Sequence, residues 1–568
     1  MPHECLDYVV VGSGFGGSVA ALRLAEKGYG VLVLERGRRF EDDEYALSTW
    51  DVRRYLWAPA FGCYGILQVS PFRDVVVLHG AGVGGGSLGY AGVLMEPDER
   101  TFATPAWNTP IDWRARLAPH FATARRMLGV APNPRLGPAD HALREIATAL
   151  GRGASFRPTR VGVFFGEPGR EGAVVPDPYF GGEGPARAGC IHCGACMVGC
   201  RHNAKNTLVK NYLYLAERRG VEVREGCEVT DVRPLPAGQA DGARYEVVYR
   251  RSVGLLGRLL LPRRRVRTRG VVLAAGALGT MRLLFRCRDV TRSLPRLSPR
   301  LGERVRTNSE SILGSSARGT AVDYSKGVAI TSIIEADEVT AVEPVRYPAG
   351  SSMMRLLSFP MIPAGSVALR VARSLVELLR RPRDFWETHL RPRWAERTTV
   401  VLVMQNVDHR IRMALGRSPL TLWRRGLVSS RAAGEGVPTR IEIGREVARR
   451  FAGRTDGVPG GSLNEELFGV PMTAHILGGC PVGATPDEGV VSDRFEVHGY
   501  PGLLVVDGSV MPANPGVNPS LTITAVAEYA MSRIPVRVAE SPAAGEPRTL
   551  ATRDGRPLPS RELPLARP

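Results

Sequence analysis

Two stretches of this chain carry residues whose types and spacing suit chemistry. In YVVVGSGFGG, from Tyr8 to Gly17, the residues Gly12, Gly14 and Gly17 form G-x-G-x-x-G directly after the apolar run Val9, Val10, Val11. The first glycine permits a tight turn, the second lets the backbone approach a pyrophosphate, and the third lets the next helix pack close to the strand. A second apolar run, VLVLE, ends at Glu35, where a carboxylate can accept hydrogen bonds from an adenosine ribose. In GCIHCGACMVGC, Cys190, Cys193, Cys196 and Cys200 are spaced C-x2-C-x2-C-x3-C. Four thiolates so spaced can ligate an iron–sulfur cluster or zinc. Arg201 stands where a ferredoxin run has proline, and there is no second cysteine set to supply a ligand from elsewhere. The alternative is free thiols packed beside a cofactor.

The elements that must position these residues can be read from pattern. Val9 to Val11 reads as a buried parallel strand, and a helix from Ser18 to Lys27 directs its positive N-terminus at the phosphates. A strand from Val75 to Leu78 leads into a loop holding Gly80, Gly82, Gly84, Gly85, Gly86 and Gly89. So many glycines suit neither a helix nor a strand interior. Interleaved with Val83, Leu88 and Val93, they suit a backbone passing close to a flat ligand or a phosphate. Thr207 to Arg218 reads as a helix, and Val221–Val223 and Val229–Val232 as strands. Val271 to Ala274 reads as a further buried strand, with Gly276 and Gly279 opening a helix. Pro519 is a good first residue for the helix SLTITAVAEYAM.

At 568 residues and 44% hydrophobic composition, the chain suits an α/β enzyme of two domains. No apolar run reaches the length of a membrane span, and the first strand starts too early for a signal peptide. Nine cysteines is an odd count, which argues against a disulfide framework and for a reducing cytoplasm. The net charge of +19 comes from scattered arginines without regularly interleaved aromatics, so no nucleic-acid partner is expected. The segment LRVARSLVELLRRPRDFW, Leu369 to Trp386, has aliphatic residues at helical spacing and reads as a core-facing helix in preference to an interfacial one. From Val538 onward the chain is rich in Pro and Arg without periodicity, which predicts a disordered tail over 538–568.

Taken together, VVVGSGFGGSVAALRLAEKGYGVLVLERG, GAGVGGGSLGYAGVLMEP, GVVLAAGALGTMRLL, AHILGGC and VVDGSVMPANPGVNPSLTITAVAE resemble the glucose–methanol–choline oxidoreductase family. Within it the chain is similar to the actinobacterial cholesterol-oxidase-like branch. The resemblance covers most of the chain to about Ile534. It implies non-covalent FAD in a discontinuous Rossmann-like domain over 1–110, 186–310 and 466–537. It implies an α+β substrate or cap domain with an antiparallel sheet over 111–185 and 311–465. Tyr90 departs from the asparagine of known cholesterol oxidases, and the cysteine run is absent from them.

The resemblance also implies roles. His475, before Gly478 and Gly479, falls at the family's catalytic histidine, and an imidazole titrating near neutrality can take a hydroxyl proton while hydride passes to flavin N5. Asn518 falls at the partner asparagine and can orient the hydroxyl without adding charge. Glu343, in VEPVRYPAG, is the candidate for moving a double bond, against a surface glutamate beside Arg346. The cofactor set adds Phe15, Gly16, Gly82, Gly85, Gly86 and Ser87 to the first motif. It also adds Val229, Gly276, Asp507, Pro519, Ser520 and Asn518 itself. The substrate implied is a small-molecule alcohol, bulky and apolar, with a secondary hydroxyl, a 3-hydroxysterol first, and the acceptor is oxygen or another electron acceptor. A dehydrogenase of another lipid or terpenoid alcohol is the alternative within enzymes. Peripheral membrane contact would serve a lipid substrate. From another class, the alternative is a basic membrane-surface or nucleic-acid-binding protein with a vestigial nucleotide fold.

Overall fold

Val9, Val10 and Val11 are apolar, β-branched and consecutive, as a strand covered on both faces requires. All three are buried, and they close the strand Leu6–Val11. The structure, a computed structural model, describes residues 5–107, 111–254, 261–431 and 436–538. Leu6–Val11 lies inside a seven-stranded sheet in the order Glu222–Arg224, Val31–Leu34, Leu6–Val11, Arg264–Leu273, Tyr245–Arg251, Cys227–Pro234. Leu503–Val505 adds in parallel to Arg264–Leu273. The first four strands are mutually parallel and the last two antiparallel.

The helix after the glycine motif runs Phe15–Glu26, three residues earlier than its sequence suggests, because Gly14 itself is the N-cap. The helix expected over Thr207–Arg218 is shortened to Tyr212–Arg218, preceded by a single tight turn at Leu208–Lys210. The Asn211 side chain accepts a 2.6 Å bond from Tyr212 N at that break. The C-terminal helix, Ser520–Ser532, brings Glu528 against Arg23 Nε at 2.7 Å and Tyr212 Oη at 2.6 Å. One buried carboxylate thus joins three helices, and its two partners offset the cost of desolvating it.

A second seven-stranded sheet is antiparallel throughout. Its order is Ser358–Pro360, Gly457–Ser462, Ser311–Ala317, Thr398–Gln405, Thr340–Val345, Ser332–Glu335, Arg157–Pro158. Side chains alternate along its central strand. Val401 and Val403 pack with the helices Pro138–Ala149 and Glu442–Arg454, while Val400 and Leu402 line a cavity. Both sheets belong to one compact unit, Met1–Pro535. A Rossmann-like parallel core beside an antiparallel platform is the α/β architecture expected.

One expectation fails. The segment around Leu369–Trp386 forms the helix Val367–Arg380, but no residue of that helix is buried, so it is not core-facing. Its polar positions, not its apolar ones, meet the protein. The tail expected to be disordered lies, from residue 539 on, outside the described residues.

Candidate active site

Glu35 ends its strand with its carboxylate already held by the protein. Ser13 N and Ser13 Oγ donate to Oε2 at 3.0 and 2.8 Å, and Gly37 N donates to Oε1 at 2.8 Å. Gly84 N in turn donates to Ser13 Oγ at 3.0 Å. Glu35 therefore locks the first glycine turn to the second glycine loop, and only its remaining lone pairs face the cavity for a ribose. A Cβ on Gly85 would lie 2.6 Å from Gly14 Cα, so the two loops touch backbone to backbone.

Two glycines of the cofactor set are different: a Cβ on Gly14 or on Gly276 would meet no protein atom within 4 Å. Both line the cavity, and Gly276 has a φ of 75°. Their missing side chains leave a cradle beside two helix N-termini, those of Phe15–Glu26 and Ala277–Asp289. A flavin dinucleotide needs this arrangement for its pyrophosphate, and the residues fit it.

The cavity has a volume of about 420 Å³. Gly12, Phe15, Gly16, Glu35, Gly85 and Gly86 line it together with Asp507, His475, Asn518, Pro519 and Ser520. Tyr90 lines it too, edge-on to Phe15 with ring centroids 5.6 Å apart. Gly17, Gly82, Ser87 and Val229 stand behind the lining. Ser87 Oγ donates to Gly84 O at 2.7 Å and accepts from Leu208 N at 3.1 Å, a loop brace. Val229 pairs with Tyr249 in the sheet, and its strand reaches the cavity through Cys227. Asp507 is buried, which raises its pKa, and it accepts from Thr280 Oγ1 at 2.5 Å and Ser509 Oγ at 2.6 Å.

His475 follows the short strand Met472–Thr473, and its backbone N donates to Thr473 Oγ1 at 2.8 Å. Its Nδ1 contacts Oε1 of Glu310, a residue the sequence did not single out. Glu310 is fully buried, and its Oε2 accepts from Ala474 N at 2.8 Å. The bridge between Arg306 and Leu477 brings the two segments side by side. Burial pushes the His475 pKa down to about 3, so the ring is neutral and able to accept a proton. With Nδ1 turned to Glu310, Nε2 is left for a ligand.

Asn518 is buried and its Nδ2 donates to Glu343 Oε2 over a long 3.4 Å. Glu343 is fully buried on the strand Thr340–Val345, and burial pushes its pKa up to about 8. It is no surface glutamate beside Arg346: that guanidinium bonds Thr331 Oγ1 at 2.7 Å and lies 3.8 Å from Asp140. Glu343 is not part of the lining and reaches the cavity through Asn518. Asn308, with a φ of 56°, donates from Nδ2 to Val517 O at 3.1 Å and accepts from Gly516 N at 3.3 Å. It thereby braces the loop that presents Asn518. The only trace of Asn308 and Glu310 in the sequence is a polar run, Thr307 to Glu310, that proves wholly buried.

The arrangement of the cysteine run does not support a metal site. Among the described residues no three His, Cys, Asp or Glu side chains are grouped to hold an ion. Burial raises the thiol pKa of Cys190 and Cys193, and takes Cys196 to about 11. Cys190, Cys196 and Cys200 pack with Val93, Val328 and Ile330 in an apolar cluster. Gly194 N donates to Gly327 O at 2.8 Å, which pins the run against the strand-rich half. Packing, not ligation, explains the small residues.

Residues 186–287 and 465–527 each match GMC oxidoreductase, and residues 10–40 match the NAD(P)-binding Rossmann-like domain. A cholesterol oxidase of Mycobacterium tuberculosis is 49% identical over 552 residues, 95% of this chain and 93% of that protein. A cholesterol oxidase of Acinetobacter baumannii is 45% identical over 533 residues, 94% of each. Among solved structures, pyridoxine 4-oxidase from Mesorbium loti matches 93% of this chain and 99% of its own at a TM-score of 0.56 and 16% identity, a likeness of fold. A dinucleotide cradle opening onto His475, with relatives this similar end to end, leaves one assignment: the chain belongs to the GMC oxidoreductases, FAD-dependent enzymes that oxidise alcohols.

Proposed function

We propose that this protein oxidises the secondary hydroxyl of a bulky apolar alcohol, a 3-hydroxysterol, to the ketone, with oxygen as the final electron acceptor. The observation that carries the reading is the continuity of one cavity. It joins the glycine cradle at Gly14 and Gly276 to His475 and Asn518 beneath the apolar strand face of Val400 and Leu402. The cholesterol oxidase relatives support the choice of substrate.

FAD, when bound in the cradle, supplies the acceptor for the hydride from the carbinol carbon. The chain's own residues do the rest. Neutral His475 accepts the hydroxyl proton at Nε2, and the Glu310 carboxylate facing Nδ1 stabilises the imidazolium that results. Asn518 holds the hydroxyl in line without adding charge. Pro519 and Ser520 present the N-terminus of Ser520–Ser532 to the cavity, where its partial positive charge would favour negative charge on a bound group. Glu343 stands behind Asn518; as the carboxylate it would take a proton from one carbon of the product and, once protonated, return it to another.

The test is the absorption spectrum of anaerobically purified protein before and after a 3β-hydroxysterol. Bleaching of the flavin bands, and their return with peroxide when air is admitted, is the expected result. Flavin that is present but unmoved removes the sterol. Bands that bleach and stay bleached in air remove oxygen as acceptor.

A further inference from the structure

The helix Val367–Arg380 is built inside out. Its half-buried positions are Arg370, Arg373, Ser374 and Glu377, one polar stripe at helical spacing. Arg370 Nη1 donates to Glu465 O at 3.1 Å, and Ser374 Oγ donates to Arg370 O at 2.7 Å, so this stripe is the side that meets the protein and itself. The opposite arc carries Val367, Val371, Leu375, Val376, Leu378 and Leu379, and all are exposed. Leu375 is 58% and Leu379 81% exposed. A helix that faced water would have the reverse arrangement. An apolar face of this extent marks a surface that meets something apolar.

The residues just beyond the helix narrow the partner. Arg380, Arg381 and Arg383 are exposed at its C-terminal end, and Trp386 and Leu390 are exposed immediately after. Cations beside an indole and a row of leucines match the boundary between anionic headgroups and acyl chains. The location fits as well. Thr388, between Trp386 and Leu390, lines the cavity, as do Met354, Leu357 and Ser358 on the neighbouring segment, where Leu356 is 60% exposed.

We infer that Val367–Arg380 docks the protein on an anionic phospholipid surface, with its apolar arc in the acyl boundary and Arg380 and Arg383 against the headgroups. The docked face adjoins the cavity lining at Thr388 and Leu357. That this serves substrate entry rests on the reading of an apolar alcohol; the docking itself does not.

The test uses full-length, flavin-loaded protein and sucrose-loaded vesicles. Co-sedimentation is compared for phosphatidylcholine alone and for phosphatidylcholine with phosphatidylglycerol. At low salt the protein binds the anionic vesicles, and binding falls about tenfold or more at about 0.5 M salt. Leu375→Asp with Leu379→Asp lowers binding at least about tenfold. Turnover of a detergent-dispersed alcohol and flavin content stay at the wild-type level. Arg380→Glu with Arg383→Glu removes the preference for phosphatidylglycerol. The inference is overturned if wild-type protein stays in the supernatant with anionic vesicles, or if the double Asp variant binds as wild type does. It is also overturned if sedimentation velocity shows a dimer that the Asp variant dissociates, for the face would then be covered by a second copy. Because sedimentation reads binding, a wrong substrate assignment leaves the result intact.

Discussion

Glu310 Oε1 meets His475 Nδ1, and the carboxylate that makes this contact is wholly removed from solvent. The pair predicts a division of labour. His475→Asn is expected to lower kcat by about 10²–10⁴ with flavin content retained, because the proton acceptor is lost. Glu310→Gln keeps the shape and removes the charge, and a fall of roughly 10–100-fold is expected. The pH profile separates positioning from mere structure. Burial holds His475 below the ordinary value of 6.5, so the acid limb of kcat/KM lies below that pH. Losing the facing carboxylate moves it lower still. An acid limb at or above 6.5, or one unmoved by Glu310→Gln, would remove the pair from the mechanism.

Neighbouring glycines of the first turn should fail in different ways. A Cβ on Gly14 meets open space, and Gly14 has an ordinary φ of −72°. Gly14→Ala should fold with an unchanged apoprotein Tm and bind FAD at least about tenfold more weakly, since the methyl group occupies the cradle. A Cβ on Gly16 would lie 2.0 Å from Val506 O. Gly16→Ala must push the helix Phe15–Glu26 away from the backbone that follows the strand Leu503–Val505, and should cost on the order of 1–3 kcal/mol in stability. Flavin titration and apoprotein melting, run on both variants, check the contrast.

Much of this molecule was legible in its sequence, for a physical reason. The glycine turn, its strands and the helix after Pro519 are local devices, and glycine spacing or apolar runs reveal them directly. His475 and Asn518 were legible only through resemblance to a family. Glu310 and Asn308 were not legible, because their partners sit on segments remote in sequence that only the sheets bring together. The cysteine run left two readings open, because its spacing fits a metal site as well as free thiols, and three of its thiols pack in an apolar cluster. The helix Val367–Arg380 misled. Periodicity shows that a helix has an apolar face but not which way that face points.

Asn308 combines a left-handed backbone with four hydrogen-bonding atoms in use. Its N donates to Asn514 Oδ1 at 3.0 Å, its O accepts from Gln405 N at 3.2 Å, and its side chain bonds Val517 and Gly516. Asn308→Ala should cost about 2–4 kcal/mol, the sum of lost buried bonds and a strained φ. Asn308→Gly relieves only the backbone and should recover about 1 kcal/mol of that. Both should lower kcat by loosening the loop that presents Asn518. If the glycine variant recovers full stability, the side-chain bonds contribute nothing.

Glu343 makes a prediction about pH with a definite sign. Its folded pKa is raised to about 8 by burial, against 4.5 for an exposed glutamate. Between those values the unfolded chain has released the proton while the native state keeps it. The native state then binds more protons, so this residue's contribution is full below about pH 4.5 and is lost as pH rises through about 8. Glu343→Gln carries no such slope. At pH 8 it should be more stable than wild type by on the order of 2–4 kcal/mol, and the gap should close towards pH 4.5. The same titration bears on chemistry. Only the carboxylate can take a proton from carbon, so any double-bond shift in the product should speed up as pH approaches 8, and Glu343→Gln should abolish it while hydroxyl oxidation continues. Denaturation midpoints at several pH values, with product analysis of both proteins, check the two claims independently. A wild-type stability that does not fall between pH 4.5 and 8 relative to the variant would mean that the Glu343 proton leaves at its ordinary value, and with it would go the case for a proton shuttle at this position.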